Sequence, residues 1–330
     1  MKMVSNNAVI KNKKVYVKSG AMQQLLAFAS LIILVIFFSI SSSNFFQFSN
    51  VMGILISTAV TGILALGATF VIITGGIDLS VGTVMSLCSV MTGVFITNME
   101  LPTAVGVLLG ILTGAFCGFM CGVAIAKLKI PPFIATLAMM MIAKGLALVI
   151  SGTKPIYFTN TPEFSKISLG SIIPGSNIPN AVFIFFSVAI IAGIILSKTI
   201  VGRYNFALGS NEEATRLSGV NVDKWKIIIY SMAGIFTGIA GVLMASRLNS
   251  AQPALGMGYE LEAIAAVVIG GTSLSGGKGT ILGTIIGALI MSVLTNGLRI
   301  LSVPQEWQTV VVGLVIILAV YTDILRRNKK

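Results

Sequence analysis

Apolar runs long enough to cross a lipid bilayer follow one another along almost the whole chain, and no other feature limits its possible folds so strongly. They lie at Met22 to Ile40, Val51 to Ile73, Ser80 to Thr97, Pro102 to Ala126, Phe133 to Ile150, Ala181 to Leu196, Ile227 to Ala245, Leu261 to Gly270, Gly279 to Leu298 and Gln308 to Tyr321. An α-helix needs about 20 apolar residues to span a hydrocarbon core of roughly 30 Å. Backbone polar groups in that core must be paired internally, so the runs predict an all-α polytopic membrane helix bundle of about ten transmembrane helices. The run at Leu261 is short, and it predicts either a span extended back over the preceding loop or a half-helix. With 55% hydrophobic and 10% charged residues among 330, a soluble globule with a polar skin is excluded.

The net charge of +12 is distributed by topology. If the N-terminus is inside, the inner loops and tails hold Lys2, Lys11, Lys13, Lys14, Lys18, Lys127, Lys129, Lys198, Arg203, Arg216, Lys224, Lys226, Lys278, Arg326, Arg327, Lys329 and Lys330. The outer side holds only Lys154, Lys166, Arg247 and Arg299. Short cytoplasmic loops carry the excess of Lys and Arg, so both termini and the central loop are expected in the cytoplasm, and the basic charge does not indicate a nucleic-acid partner. This divides the chain into a cytoplasmic tail over 1–21, a single transmembrane domain over 22–325 with a cytoplasmic loop at 198–226, and a cytoplasmic tail over 326–330. The first run is followed by further spans, not by a small-residue cleavage pattern, and reads as a retained helix. The outer segment from Ser151 to Asn180, with Pro155, Pro162, Pro174 and Pro179, reads as a loop too small for a separate domain.

The central loop contains a short helix. Ser210 followed by Glu213 has capping-box spacing, Glu212 and Glu213 suit the positive end of a helix dipole, and Gly219 suits the left-handed position after the last turn. So short a helix is marginal in water unless it packs on something, which marks it as a docking element.

Glycine is the second organising residue. Gly106, Gly110, Gly114, Gly118 and Gly122 recur every fourth residue, as do Gly279, Gly283 and Gly287. Both sets place small residues on one helix face, as a packing seam or as the wall of a path. The pattern GGxxLSxG occurs twice, at Gly75 to Gly82 and at Gly270 to Gly277. Both copies fall on the inner side, at odds with an inverted duplication, so they are either shared turn chemistry or a sign of a misplaced span. The second copy runs into Lys278 but has Thr272 and Gly279 where a phosphate-binding loop needs Gly and Ser or Thr, so nucleotide binding is excluded there.

An ionisable residue at a helix centre costs about 2.5 to 3.5 kcal/mol on insertion scales and is a functional candidate by default. Lys144 lies mid-span, where it either serves a path or snorkels to the interface. Asp78, Ser273 and Asn296 stand beside it as pathway candidates, and Asp78, Glu260 and Glu262 also suit helix starts. With no histidine and no central acid, proton coupling is disfavoured, and no nucleophile has a base to form a catalytic site. Cys88, Cys117 and Cys121 lie in apolar runs and suggest neither a disulfide framework nor a metal site. No cofactor is expected in this chain.

From Asn50 onward the chain resembles the permease subunits of bacterial ABC monosaccharide importers. The residues that carry the resemblance are Thr74 to Gly82 (TGGIDLSVG), Phe133 to Met140 (FIATLAMM), Gly202 to Val220 (GRYNFALGSNEEATRLSGV), Ser250 to Gly258 (SAQPALGMG) and Tyr259 to Gly279 (YELEAIAAVVIGGTSLSGGKG). The resemblance implies a fold like the ten-span vitamin B12-type importers and inward movement of a monosaccharide, ribose first, with other pentoses, hexoses or autoinducer-2 as alternatives. It also implies a bacterial cytoplasmic-membrane location and three partners: an ATPase with fused nucleotide-binding domains, an extracytoplasmic sugar-binding protein and a second permease copy. In that family an EAAxxxG loop docks on the ATPase. Here Glu213, Ala214, Thr215 and Gly219 occupy the motif, with Thr215 in place of the second alanine, and Asn211, Glu212 and Arg216 complete the expected coupling segment. A secondary carrier or passive channel is the reading from a different class.

Overall fold

The structure, a computed structural model, describes residues 7–173 and 175–328, with side chains from residue 22 to 325. Lys2, Pro174, Lys329 and Lys330 therefore lie outside the described residues, as do the side chains of Lys11, Lys13, Lys14, Lys18, Arg326 and Arg327. In order the helices are α1 (Asn7–Ser41), α2 (Phe48–Ile73), α3 (Val81–Gly93, continued by a π-helical turn Val94–Asn98), α4 (Thr103–Ala126), α5 (Pro132–Ser151), α6 (Lys166–Leu169), α7 (Asn180–Lys198), α8 (Ile200–Ser210), α9 (Glu212–Leu217), α10 (Val222–Leu248), α11 (Tyr259–Ile269), α12 (Ile281–Ile300) and α13 (Gln305–Asn328). Nine of these, among the described residues, are long and apolar enough to cross a membrane. The chain is an all-α polytopic bundle.

The eighth run, at Leu261, folds as α11, only 11 residues long, and does not reach back over the loop as a continuous span. A non-helical stretch from Gln252 to Gly258 precedes it. Counting crossings from α2 places Ile156 and Ile73 at opposite ends of the bundle. Ser250–Ala251 pairs with Ile156–Tyr157 as a two-stranded bridge, while Gly277 N donates to Ile73 O at 2.8 Å. The segment 252–269 therefore crosses as a non-helical run of turns followed by a short helix. We call the end that carries residues 198–226 the basic end.

Burial grades from centre to rim. In α2 89% of the spanning window is buried, whereas none of α13's is, and α1 and α5 are almost as open. The apolar outer faces of α1, α5 and α13 suit lipid. The centre is held by glycine. A Cβ at Gly114 would overlap the Gly234 carbonyl oxygen, one at Gly118 the Tyr230 carbonyl oxygen, and one at Gly122 would lie 2.8 Å from Ile227 Cα. The seam on α4 thus packs backbone to backbone on α10, as close helix approach requires. On α12, Gly283 and Gly287 approach the carbonyls of Gly270 and Ala266 in the same way. Gly279 is not part of that helix, because Thr280 caps it, accepting from Gly283 N at 3.1 Å, and the helix begins at Ile281.

Both copies of GGxxLSxG are turn chemistry at one end. Gly75 (φ +81°) and Gly271 (φ +93°) occupy the left-handed position after α2 and α11. Gly76 N returns to Val71 O at 3.3 Å and Thr272 N to Val267 O at 3.2 Å, the same helix-closing pair in each copy but one residue out of register with the sequence repeat. The two copies also touch, since a Cβ at Gly276, late in the second copy, would lie 2.9 Å from Gly75 N.

The segment after α5 is more ordered than a plain loop. It adds the bridge strand, a 3-10 turn Pro162–Ser165 and α6, which fold back onto α10 through Ser246. The Ser246 hydroxyl donates to Phe164 O at 2.7 Å and accepts from Ser168 N at 2.9 Å.

Candidate functional site

The candidate site at the basic end is built from two short helices between long ones. Thr199 is extended (φ −106°, ψ 169°), ending α7 and starting α8, and Gly202 lets the turn close against the Leu196 carbonyl. On α8, Tyr204 packs against Trp225 of α10 with ring centroids 4.8 Å apart. At its end, a Cβ on Gly209 would overlap Ile73 O and crowd Gly277 N, so the α8–α9 junction lies directly on the end of α2 and the close of the second glycine copy.

Asn211, not Ser210, caps α9, because α8 runs through Ser210 and leaves Asn211 as the first extended residue. Its Oδ1 accepts from Ala214 N at 2.9 Å. Its carbonyl accepts from the Thr215 hydroxyl at 2.7 Å, and Thr215 is buried. Gly219 takes φ +86° and turns the chain so that Val220 N reaches Thr215 O at 3.4 Å. Asn221 then caps α10, accepting from Lys224 N at 3.0 Å.

Ion pairs set the direction of α9. Glu212 accepts from Arg216 at 3.2 Å and from Lys226, in the second turn of α10, at 2.6 Å. Asp223 meets Lys129 at 2.9 Å and Lys127 at 3.5 Å, tying the α4–α5 turn to α10. Exposed pairs of this kind contribute roughly 0 to 1 kcal/mol each, so they orient more than they stabilise. Glu213, Ala214 and Leu217 face outward, and Leu217 is 80% exposed. Beyond the bundle the helix thus presents a small residue and a bare leucine.

The four pathway candidates are dispersed, with no hydrogen bond linking any two of them among the described residues. Lys144 is half-buried on α5 with neither a hydrogen bond nor an ion pair. Asp78 is buried and accepts from Ser80 N at 2.8 Å and from the Ser80 hydroxyl at 2.6 Å, forming a side-chain turn ahead of α3. Ser273 donates to Asp323 at 3.3 Å, and Asn296 donates to Asn50 at 3.0 Å. Both carboxylate oxygens of Glu260 accept from Gly258 N, at 3.0 and 3.1 Å, closing the start of α11. Sequence reasoning did not reveal the Glu212–Lys226 and Asp223–Lys129 pairs, because the second joins residues 94 positions apart and no local spacing signals it.

Residues 50–320 match the family described as branched-chain amino acid transport system / permease component. The chain belongs to this family. The permease is 43% identical over 324 residues to the ribose import permease protein of Escherichia coli (strain K12), covering 97% of this chain and 98% of that one. It is 44% identical to the ribose import permease protein of Bacillus subtilis (strain 168), covering 92% and 94% of the two chains. The fructose import permease protein of Rhizobium meliloti is 38% identical, covering 88% and 82%. The family's description names amino acids, whereas these relatives of the permease are named for sugars. It is a multi-pass membrane protein of the transport-permease kind.

Proposed function

We propose that this permease carries ribose inward across a bacterial cytoplasmic membrane as the membrane subunit of an ATP-driven importer. The reading rests on one observation: similarity to ribose import permeases, at 43–44% identity, extends over nearly the entire chain. ATP is hydrolysed on a partner ATPase with fused nucleotide-binding domains, which grips α9 through Ala214, Leu217 and Glu213. No cofactor resides in this chain. A secreted sugar-binding protein delivers the sugar at the end opposite α9, and a second copy of the permease completes the path. Both termini and the 198–226 loop lie in the cytoplasm, in an arrangement of the vitamin B12-importer type.

The test is uptake of labelled ribose into proteoliposomes that hold the permease with its ATPase, with loaded binding protein outside and ATP inside. Uptake that requires all three proteins and ATP is expected, with fructose, xylose, arabinose and autoinducer-2 competing poorly. Uptake without nucleotide or ATPase would instead make the protein a secondary carrier or channel. Preference for another of these solutes would reassign the substrate.

A further inference from the structure

Non-helical backbone at membrane depth persists only where protein buries it or where it lines a path for solute, and transporters build their binding sites at such breaks. Among the described residues, non-helical segments precede α3 at 74–80 and α11 at 252–258. The helix starts that follow them meet at a pair of glycines. A Cβ at Gly82 would overlap the Gly256 carbonyl oxygen and crowd the Glu260 carboxylate, and a Cβ at Gly256 would overlap the Gly82 carbonyl oxygen and lie 2.6 Å from the Ser86 hydroxyl. One side-chain hydroxyl and one carboxylate therefore flank the same bare backbone contact.

The fold uses these two groups incompletely. The Ser86 hydroxyl is buried, with no hydrogen-bond partner among the described residues. Glu260 is 9% exposed, and its carboxylate accepts only from Gly258 N of its own turn among the described residues, which leaves further acceptor capacity on both oxygens. A buried hydroxyl without a partner costs about 1 to 3 kcal/mol, a penalty relieved by any state in which a polar ligand reaches it. The residues just before Gly256, Gln252 to Leu255, also form one wall of an open surface cavity of about 330 Å³ at the end opposite α9, with Thr153 and Pro155 on the other side. That volume falls within the range of small-ligand pockets.

We propose that Ser86 and Glu260 form a hydroxyl-binding subsite for the transported sugar, closed in this state by the Gly82–Gly256 contact. When the 252–258 segment withdraws from α3, a neutral polyhydroxylated ligand arriving from the cavity meets a hydroxyl that both donates and accepts and a carboxylate that accepts from sugar hydroxyls. The proposal rests on the reading of the protein as a sugar importer and deepens it by naming side chains that contact the sugar.

The experiment uses the reconstituted complex of permease, ATPase and binding protein, with variants S86A, S86T and E260Q. S86A and E260Q should each lower ribose uptake by about tenfold, the loss expected for one buried hydrogen bond. They should also alter the ratio of ribose to xylose uptake, while ATPase stimulation by loaded binding protein and the melting temperature of the detergent-extracted complex stay near wild type. S86T keeps the hydroxyl and should recover most uptake. Wild-type uptake and sugar preference in S86A and E260Q would overturn the subsite. So would parallel loss of uptake, ATPase stimulation and thermal stability, which marks a structural role. A wild-type complex that prefers another monosaccharide would correct the ribose assignment alone, and the variants are then read with that sugar. A wild-type complex that carries no sugar overturns both readings.

Discussion

Lys144 stands on α5 between the buried Ala143 and Ala147 and the outward Met141, Ile142 and Leu146, with no ion pair among the described residues. A lone lysine at the edge of a buried stripe lowers its cost by running its methylenes along the helix toward the headgroups. Lys144→Met is therefore expected to leave ribose uptake within about twofold of wild type and to preserve assembly, since only a solvated charge is lost. Transport assays on membranes matched for permease content check this. A severe loss in the methionine variant, with uptake kept by Lys144→Arg, would show that a neighbouring subunit uses the charge. The acidic residues behave differently. Asp78 and Glu260 sit at interrupted segments and accept from the turns that start α3 and α11.

Among the elements, α9 is the one whose order calls for an explanation. It has six residues, too few to be stable alone, and is held by the Asn211 cap, the buried Thr215 and the Glu212–Lys226 pair. Those bonds fix it to α10 and, through Gly209, to the end of α2 and the Gly277 turn, so a force on α9 reaches α2, α10 and that turn together. Ala214 is exposed and makes no contact that the fold needs. Ala214→Trp is expected to leave insertion and the melting temperature unchanged, to reduce ATPase association by about tenfold or more through overpacking of a docked face, and to abolish uptake. Pull-down of the ATPase with the permease measures it, and full retention of binding and uptake would mean that α9 faces water.

For the whole molecule, the α4–α10 seam is the main structural axis, because there backbones replace side chains in contact. Gly118→Val would place a branched side chain on the Tyr230 carbonyl, in a region where no flexible side chain can yield. Overpacking of a tight core costs typically 1 to 3 kcal/mol and more against backbone. The variant should therefore show a melting temperature lowered by several degrees and little assembled protein in fluorescence-detected size-exclusion chromatography. Normal assembly would mean that the helices can separate here. The same chromatography on Gly145→Val, where nothing lies within 4 Å of an added Cβ, provides the matched control.

Hydropathy by itself determined the polytopic helical class and the nine long crossings, since about 20 apolar residues in a row have few other stable fates. Spacing also gave the small-residue faces of α4 and α12 and the short helix near Glu213, because helical period and cap chemistry are local. It placed the cap one residue early, at Ser210, since nothing local told how far α8 would run. The half-helical crossing of α11, the meeting of Gly75 and Gly276 under Gly209, the Asp223–Lys129 clamp and the closure of Gly82 on Gly256 were decided only by tertiary structure. Each joins residues far apart in the chain, and such contacts follow from how neighbouring helices pack, which the period of a single helix does not encode.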